Sequence, residues 1–391
     1  MSGLIYQTFI RVSIEFKEWG AALLHILYRQ IGRYAGARPS IALVCLALSP
    51  IPCFAQAMPD QIAYELSTRY TPYADGAAVL DLEQIAPKAI NAFDRPLASL
   101  HLALDPGHVG GIWAEWEWRN FRISKEDYWI REGELVLEVA QRIRTRLTNL
   151  GAEVTLLRED YQPINPMNFI DYWPLAAAEK MPPTELSLKS QLDHALKVRN
   201  HAIRLAIVRG EIAERARLVN EVIRPDVLIS LHINAAEWPD GDRDQLVDGD
   251  HAHVLIFGCL NETELASPNQ QIRLIEKLSN GSGTVEAQLG AALGSALIET
   301  TGLPASDYQG RNAIRIDPEV PSLWARNLML LRLVDCPTVL MEPYITNSHS
   351  SYARIQKALR AREYHEPLPA DDILVEYADA VVTGVLRAYE R

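Results

Sequence analysis

At 391 residues, 48% hydrophobic and 23% charged, the chain has the composition of a globular protein with room for one large or two ordinary domains. A formal net charge of −12 argues against a nucleic-acid binder, which needs a basic face, but leaves carbohydrate and peptide polymers open because their sites need only local polarity. The cysteines Cys45, Cys53, Cys259 and Cys336 lack the close pairing of a zinc ribbon or a disulfide-dense scaffold; a single Cys259–Cys336 bridge is the less favoured reading.

The N-terminus reads as an address. Arg29, Arg33 and Arg38 precede the apolar run Ile41-Ala-Leu-Val-Cys-Leu-Ala-Leu, and small residues follow at Ala55 and Ala57. A basic flank, a short apolar core and a small-x-small exit predict a secretory signal cleaved after Ala55 or Ala57, in preference to an uncleaved membrane anchor. The run is short for a bilayer span, and Pro50 and Pro52 would interrupt a helix continuing through it. The expectation is therefore an exported protein, periplasmic or extracellular, with no stable membrane span once residues 1–57 are removed. The segment before the run, 1–36, is longer than signal peptides usually carry, so the true start may lie inside it.

Residues 58–97 read as a polar, proline-punctuated lead-in. From Leu100 the texture changes. The run Leu100-His-Leu-Ala-Leu ends in Asp-Pro-Gly-His, a strand closed by turn residues. Leu135, Val139, Ile143 and Leu147 are spaced by four and predict a helix over 134–150, stopped by Gly151. Residues 153–157 then read as a second strand, completing the strand–helix–strand signature of a parallel sheet. Residues 159–185, rich in Pro, Tyr and Asn, predict a long irregular loop; 186–223 return to helical periodicity with a break near Gly210. Further strands are expected at 226–232, 253–257 and 337–342, a helix at 285–301 ending at Gly302, and a closing helix at 371–389. The predicted fold is one α/β catalytic domain over 98–391, a mostly parallel twisted sheet flanked by helices.

Three of these strands end in a group that can bind a metal or carry a proton: His108 past the first, His232 at the end of the 226 strand, and Glu342 at the end of the 337 strand. Ligands of open α/β sheets bind beyond the carboxyl ends of the strands. Imidazoles with a carboxylate are a common catalytic zinc set. Each residue alone has an ordinary structural explanation, a hydrogen-bonded histidine or a capping glutamate; their shared position at strand ends favours chemistry.

The local sequences sharpen this. Asp105-Pro-Gly-His108-Val-Gly-Gly resembles the Asp-Pro-Gly-His-Gly-Gly opening of the zinc-dependent N-acetylmuramoyl-L-alanine amidases. Ser230-Leu-His232-Ile-Asn234 is similar to that family's Ser-x-His-x-Asn segment, and Arg215 with Val219-Asn220 resembles the helix preceding it. Arg332 through Asn347, including Pro337-Thr-Val-Leu-Met-Glu342, resembles the closing motif. The motifs stand in family order. The resemblance implies zinc held by His108, Glu132 and His232, with Glu342 as catalytic base and Asn234 in contact with substrate. Glu132 is preferred to Glu134 because its spacing to Leu137 and Ala140 fits the family's Glu-x-x-x-x-Leu-x-x-Ala pattern. It implies hydrolysis of the amide between N-acetylmuramic acid and L-alanine in peptidoglycan. The alternatives are a zinc peptidase cutting a wall peptide bond and a non-catalytic wall-binding protein of the same fold. The chain departs from the pattern at Val109, and at Pro343-Tyr344, where the family has a variable residue, a glycine and a phenylalanine.

Between His108 and Glu132 lie Trp113, Trp116, Trp118 and Trp129, readable as a glycan-binding lip or as a hydrophobic flap. This segment or 159–185 could cover the site as a lid opened by a protein activator. His251 and His253, two apart on a predicted strand, share a face but match no motif and carry little weight. Asp242, Asp244, Asp248 and Asp250 lack EF-hand spacing and read as a solvated loop.

Overall fold

The computed structural model describes residues 95–184 and 187–389. The predicted signal segment 1–57 and nearly all of the 58–97 lead-in lie outside the described residues, as do both proposed cleavage positions. Within them the strands are β1 (His101–Pro106), β2 (Asn120–Phe121), β3 (Ile130–Arg131), β4 (Glu153–Leu156), β5 (Val227–Leu231), β6 (Ala252–Ile256), β7 (Ile314–Arg315), β8 (Leu323–Ala325) and β9 (Thr338–Pro343). The helices that matter to the site are α1 (Trp113–Glu117), α2 (Glu132–Asn149), α3 (Leu188–Arg204), α4 (Glu211–Arg217), α5 (Ser282–Thr301), α6 (His349–Glu363) and α7 (Ile373–Tyr389).

Seven strands form one sheet in the order β4-β1-β5-β9-β6-β8-β7, and β2 and β3 form a small antiparallel pair. The pairs β4/β1, β1/β5, β5/β9 and β6/β8 are parallel; β6/β9 and β7/β8 are antiparallel. The fold is thus the mostly parallel, helix-flanked sheet that the alternation of strands and helices predicts. The central strands are buried on both faces, which is why β5 and β9 read as unbroken apolar runs instead of alternating ones. On one face α2, α5 and α7 bury Val139, Ile143, Leu289, Leu293, Val381 and Val385 against the sheet. Gly302 closes α5 at φ 67°, a conformation costly for other residues, as its place in the sequence predicts.

Two expectations need correction. Residues 159–185 are not wholly irregular: a 3₁₀ turn at Phe169–Tyr172 leads into a helix at Trp173–Glu179. The helical stretch does not break at Gly210. It runs on through wide π-type turns at Leu205–Gly210 and Leu218–Ile223, which lodge extra residues without ending the helix. No disulfide joins Cys259 to Cys336. No helix among the described residues is long and apolar enough to cross a membrane.

Candidate active site

The three adjacent parallel strands β1, β5 and β9 end at one edge of the sheet, and the site is built there. His108 leaves the Asp105-Pro-Gly-His turn after β1, His232 directly follows β5, and Glu342 lies one residue from the end of β9. Glu132 opens α2, where the helix dipole favours a carboxylate. Its oxygens meet both imidazoles, His108 Nε2 at 3.4 Å and His232 Nδ1 at 3.1 Å. One ligand atom from each of His108, Glu132 and His232 lies within 4.8 Å of the others, so among the described residues these three form a cluster able to hold a metal ion. Glu134 does not join it. Its carboxylate accepts from the Gly111 backbone N–H at 2.9 Å and pairs with Arg131.

Two glycines allow this convergence. A Cβ at Gly107 would overlap the His232 ring, and one at Gly133 would overlap the Val109 carbonyl. Replacing either hydrogen would force the β1 turn away from β5 or from the start of α2.

The turn is held by buried charge. His108 adopts φ 55°, an uncommon conformation for a non-glycine residue, and its carbonyl accepts from Arg215 Nη2 at 2.7 Å and Arg158 Nε at 3.1 Å. Arg215, on α4, also donates to Asp105 Oδ1 and to the Pro106 carbonyl, each at 2.8 Å, and pairs with Glu211. Arg158 donates to the Gly133 carbonyl at 2.6 Å and so ties the turn to the start of α2. Burial raises the Asp105 pKa, but Arg215 and the hydroxyl of Ser230 outweigh it and hold the carboxyl below its ordinary value. Burial and the like charge of Arg215 bring Arg158 down to about 10.

The cluster is electrostatically matched to itself. Burial pushes Glu132 upward, yet His108, His232 and Arg119 together hold it at about 2, far below 4.5. For His232 burial acts downward, and the Glu132 carboxylate more than offsets it, leaving the imidazole raised. Two imidazoles and one ionised carboxylate converging in a buried spot are the donor set of a borderline-soft divalent ion such as zinc. Such an ion binds imidazole in its neutral form and carboxylate in its ionised form, so its affinity for these three groups depends on pH.

Sequence reasoning missed several residues. Glu117, on α1 in the Trp-rich segment, binds His108 Nδ1 at 3.2 Å and the Val109 N–H at 2.7 Å, fixing the ring from behind. His253, set aside as matching no motif, is 1% exposed and lies 2.6 Å from Glu342 Oε2 through Nε2. The signal available was a histidine inside an apolar strand, which must find a polar partner once buried. Asp250 is not solvated: it accepts from the Ile345 N–H at 2.5 Å and from the hydroxyls of Ser348 and Ser351, whereas Asp242, Asp244 and Asp248 are exposed.

Glu342 itself is pulled in opposite directions. Burial raises its pKa, but the hydrogen bond from His253 and the electrostatic pull of the His253 and His232 rings outweigh burial and keep it below its ordinary value. The departure at Pro343-Tyr344 has a structural counterpart: Tyr344 takes φ 62°, a glycine-like conformation, and buries its ring completely with its hydroxyl on Glu376 at 3.0 Å. Asn347 clasps the segment to the β5 loop, accepting from the Ala236 N–H and donating to its carbonyl. Asn234 accepts from the Ala235 N–H at 2.8 Å, which turns its amide nitrogen toward His251, 3.5 Å away.

The Trp-rich segment is partly buried and partly open, with Trp118 and Trp129 exposed to solvent. Phe121 is buried edge-on against Trp238, while Arg204 covers the Trp118 ring at 3.6 Å and Arg122 covers Trp129 at 4.7 Å.

The profile of a family described as N-acetylmuramoyl-L-alanine amidase matches residues 102–364. Among solved structures, the chain is similar to the N-acetylmuramyl-L-alanine amidase Ami1 from Mycobacterium smegmatis, at 17% identity over 75% of this chain and 98% of that one, with a TM-score of 0.40. It is also similar to the N-acetylmuramoyl-L-alanine amidase from Clostridium difficile 630, at 14% identity over 74% and 95% of the two chains and a TM-score of 0.36. A third is the CwlD amidase from Clostridioides difficile, solved in complex with the GerS lipoprotein, at 13% identity over 74% and 98% and a TM-score of 0.37. No curated protein matches the chain. The profile match takes in the β1 turn, the start of α2, the end of β5 and the end of β9, and the chain belongs to the N-acetylmuramoyl-L-alanine amidase family.

Proposed function

We propose that the chain is a zinc-dependent amidase that cleaves the bond between the lactyl group of N-acetylmuramic acid and L-alanine in peptidoglycan. The observation that carries this reading is the convergence of His108, Glu132 and His232 at the strand-end edge with Glu342 beside them, within a chain of this family. In this reading the two imidazoles and the Glu132 carboxylate hold the ion. Zinc, when bound, supplies Lewis acidity that polarises the scissile carbonyl and acidifies water.

The chain's own groups do the rest. Glu342 accepts the proton of the attacking water on its carboxylate and delivers it to the departing amine, which leaves poorly unless protonated. A carboxyl held below its ordinary value is ionised at neutral pH, the state a proton acceptor must start from. Glu117 and Arg215 keep the His108 ring and turn in place, and the amide N–H of Asn234 is offered to a substrate carbonyl. Residues 98–391 form the catalytic domain, with 1–57 acting as an export signal and 58–97 as a lead-in, so the enzyme works outside the cytoplasm. The N-terminal mass of the exported protein tests that division.

The decisive experiment pairs metal analysis of the purified protein with digestion of purified peptidoglycan and mass analysis of the products. One zinc per chain and free stem peptides beginning at L-alanine support the proposal. Cuts elsewhere in the stem would make the protein a peptidase, and intact peptidoglycan in the presence of bound zinc would contradict it.

A further inference from the structure

Sheet topology places a second residue against the Glu342 carboxylate. β6 is inserted antiparallel beside β9, with His253 directly opposite Glu342 in the register. Cross-strand neighbours point to the same face with their Cβ atoms about 5 Å apart. Their side chains accordingly meet, with His253 Nε2 2.6 Å from Glu342 Oε2. The imidazole is confined on its other sides. His251 stacks on it with ring centroids 5.7 Å apart, and the Tyr308 ring lies at 5.1 Å with its hydroxyl 3.1 Å from the same Nε2. Tyr308 is itself packed edge-on against Trp324.

The position of the ring proton follows from the neighbours. His253 Nδ1 is buried and has no hydrogen-bond partner. A proton there would be an unsatisfied buried donor, and it would leave the Nε2 lone pair facing a carboxylate oxygen at 2.6 Å. The proton therefore sits on Nε2 and is donated to Glu342 Oε2, with the Tyr308 oxygen as the longer, second acceptor.

We propose that His253 is a positioning residue for Glu342: it pins one carboxylate oxygen so that the other is presented to the reacting centre. The proposal rests on the reading of Glu342 as the general base. A glutamate has three rotatable bonds, and a base must be held within about 0.5 Å of its working geometry by groups that are themselves locked. His253 meets that need because β6, His251 and Tyr308 fix its ring, and the one polar bond it makes to a charged group is to Glu342.

The test uses the full chain, a soluble muropeptide substrate and three variants. His253→Ala should lower kcat by about 10²-fold, the order expected when a reacting group is misplaced by about 1 Å, with KM and zinc content unchanged. His253→Gln, whose amide N–H reaches to a similar distance, should recover most of that loss. A purely packing role would leave His253→Gln as impaired as the alanine variant, and wild-type kcat in His253→Ala would equally overturn the proposal. A long-range ¹⁵N–¹H spectrum of the metal-free protein supplies a readout independent of turnover. It should place a proton on His253 Nε2 and show the signal moving in Glu342→Gln; an Nε2 without a proton would refute the bond. Glu342→Gln assayed alongside keeps the two ideas apart. If it retains turnover, the assignment of the base fails, while the spectrum still judges the His253–Glu342 bond by itself.

Discussion

The turn that carries His108 and the arm formed by residues 161–184 and 187–204 both bond to α4, yet they are built by opposite means. The turn is held by charged groups in a buried setting: Arg215 bridges Asp105, Glu211 and two carbonyls, Arg158 donates to the Gly107, His108 and Gly133 carbonyls, and Glu117 braces the ring. The arm is held by a small apolar cluster of Ala176, Val198, Ala202 and Leu205, and exposes Met181, Leu188, Leu192 and Leu196 to solvent. Glu211 is the joint between them, accepting from Arg215 on one oxygen and from the Asn165 N–H on the other. A region with many mutually dependent buried polar bonds has one geometry or none. A region with few buried contacts sits at the low end of local stability and tolerates change.

That contrast can be broken most severely at the chemistry itself. Glu342→Gln removes the proposed proton acceptor while keeping shape, and turnover should fall by about 10²- to 10⁴-fold with zinc content intact. Retained activity in a peptidoglycan digestion assay would remove Glu342 from the mechanism. The next largest effect belongs to the brace. Arg215→Met strips a buried cation from two buried carboxylates, and breaking such a network costs about 3–5 kcal/mol. Urea unfolding of the variant should show that loss together with weakened metal binding, since the His108 carbonyl loses its closest donor. Full stability with normal zinc affinity would mean that the turn holds itself. A smaller effect is expected at Glu117→Gln, which weakens the bond to His108 Nδ1. Zinc affinity should fall by about 10- to 100-fold, measured by competition with a chelator.

Acid offers a probe of the same region without a change of fold. Glu132 titrates at about 2 in the metal-free protein, against 4.5 ordinarily. A depressed carboxylate contributes stability in full above its unfolded pKa, and the contribution disappears as pH falls through the folded one. The difference in urea midpoint between the metal-free wild type and Glu132→Gln should thus be greatest above pH 4.5 and shrink steadily toward pH 2. A difference that is constant over this range would mean that Glu132 gains nothing from its histidine neighbours.

How much of this was legible beforehand follows the same division. Strands β1, β5 and β9 could be read because two-sided burial demands unbroken apolar runs, and each run closes on a residue with chemistry. His108 and His232 stood out by their places just past β1 and β5, whereas Glu132, at the start of α2, was reached only through the resemblance of its surroundings to a family motif. His253 could not be found in that way. Its partner lies 89 residues away, and only the antiparallel insertion of β6 against β9 brings them together; strand direction leaves no local mark on a five-residue run. Glu117 was hidden by its surroundings, a single acid in a segment whose tryptophans drew the interpretation. Asp250 looked like one more charge in an acidic loop, and only the folded chain sets it against the backbone of Ile345 and the hydroxyls of Ser348 and Ser351. The π-type turns escaped because periodicity continues through them with one residue gained.

The smallest effect should come from the arm, and it tests the comparison from the other side. Leu188, Leu192 and Leu196 lie four apart on α3, forming an exposed stripe on a helix whose buried face already rests on Val198 and Ala202. Leu192 is 57% exposed, so replacing it with serine removes little burial and leaves no cavity. Unfolding free energy should move by no more than about 0.5 kcal/mol, and hydrolysis of a soluble muropeptide should not change. If the arm shields the site and a protein activator lifts it, the same substitution would leave the soluble assay alone and alter the response to that activator on intact peptidoglycan. A stability loss of several kcal/mol would instead show that the stripe is packed in solution. The arm would then belong with the braced turn, and the joint at Glu211 would transmit strain from one region to the other.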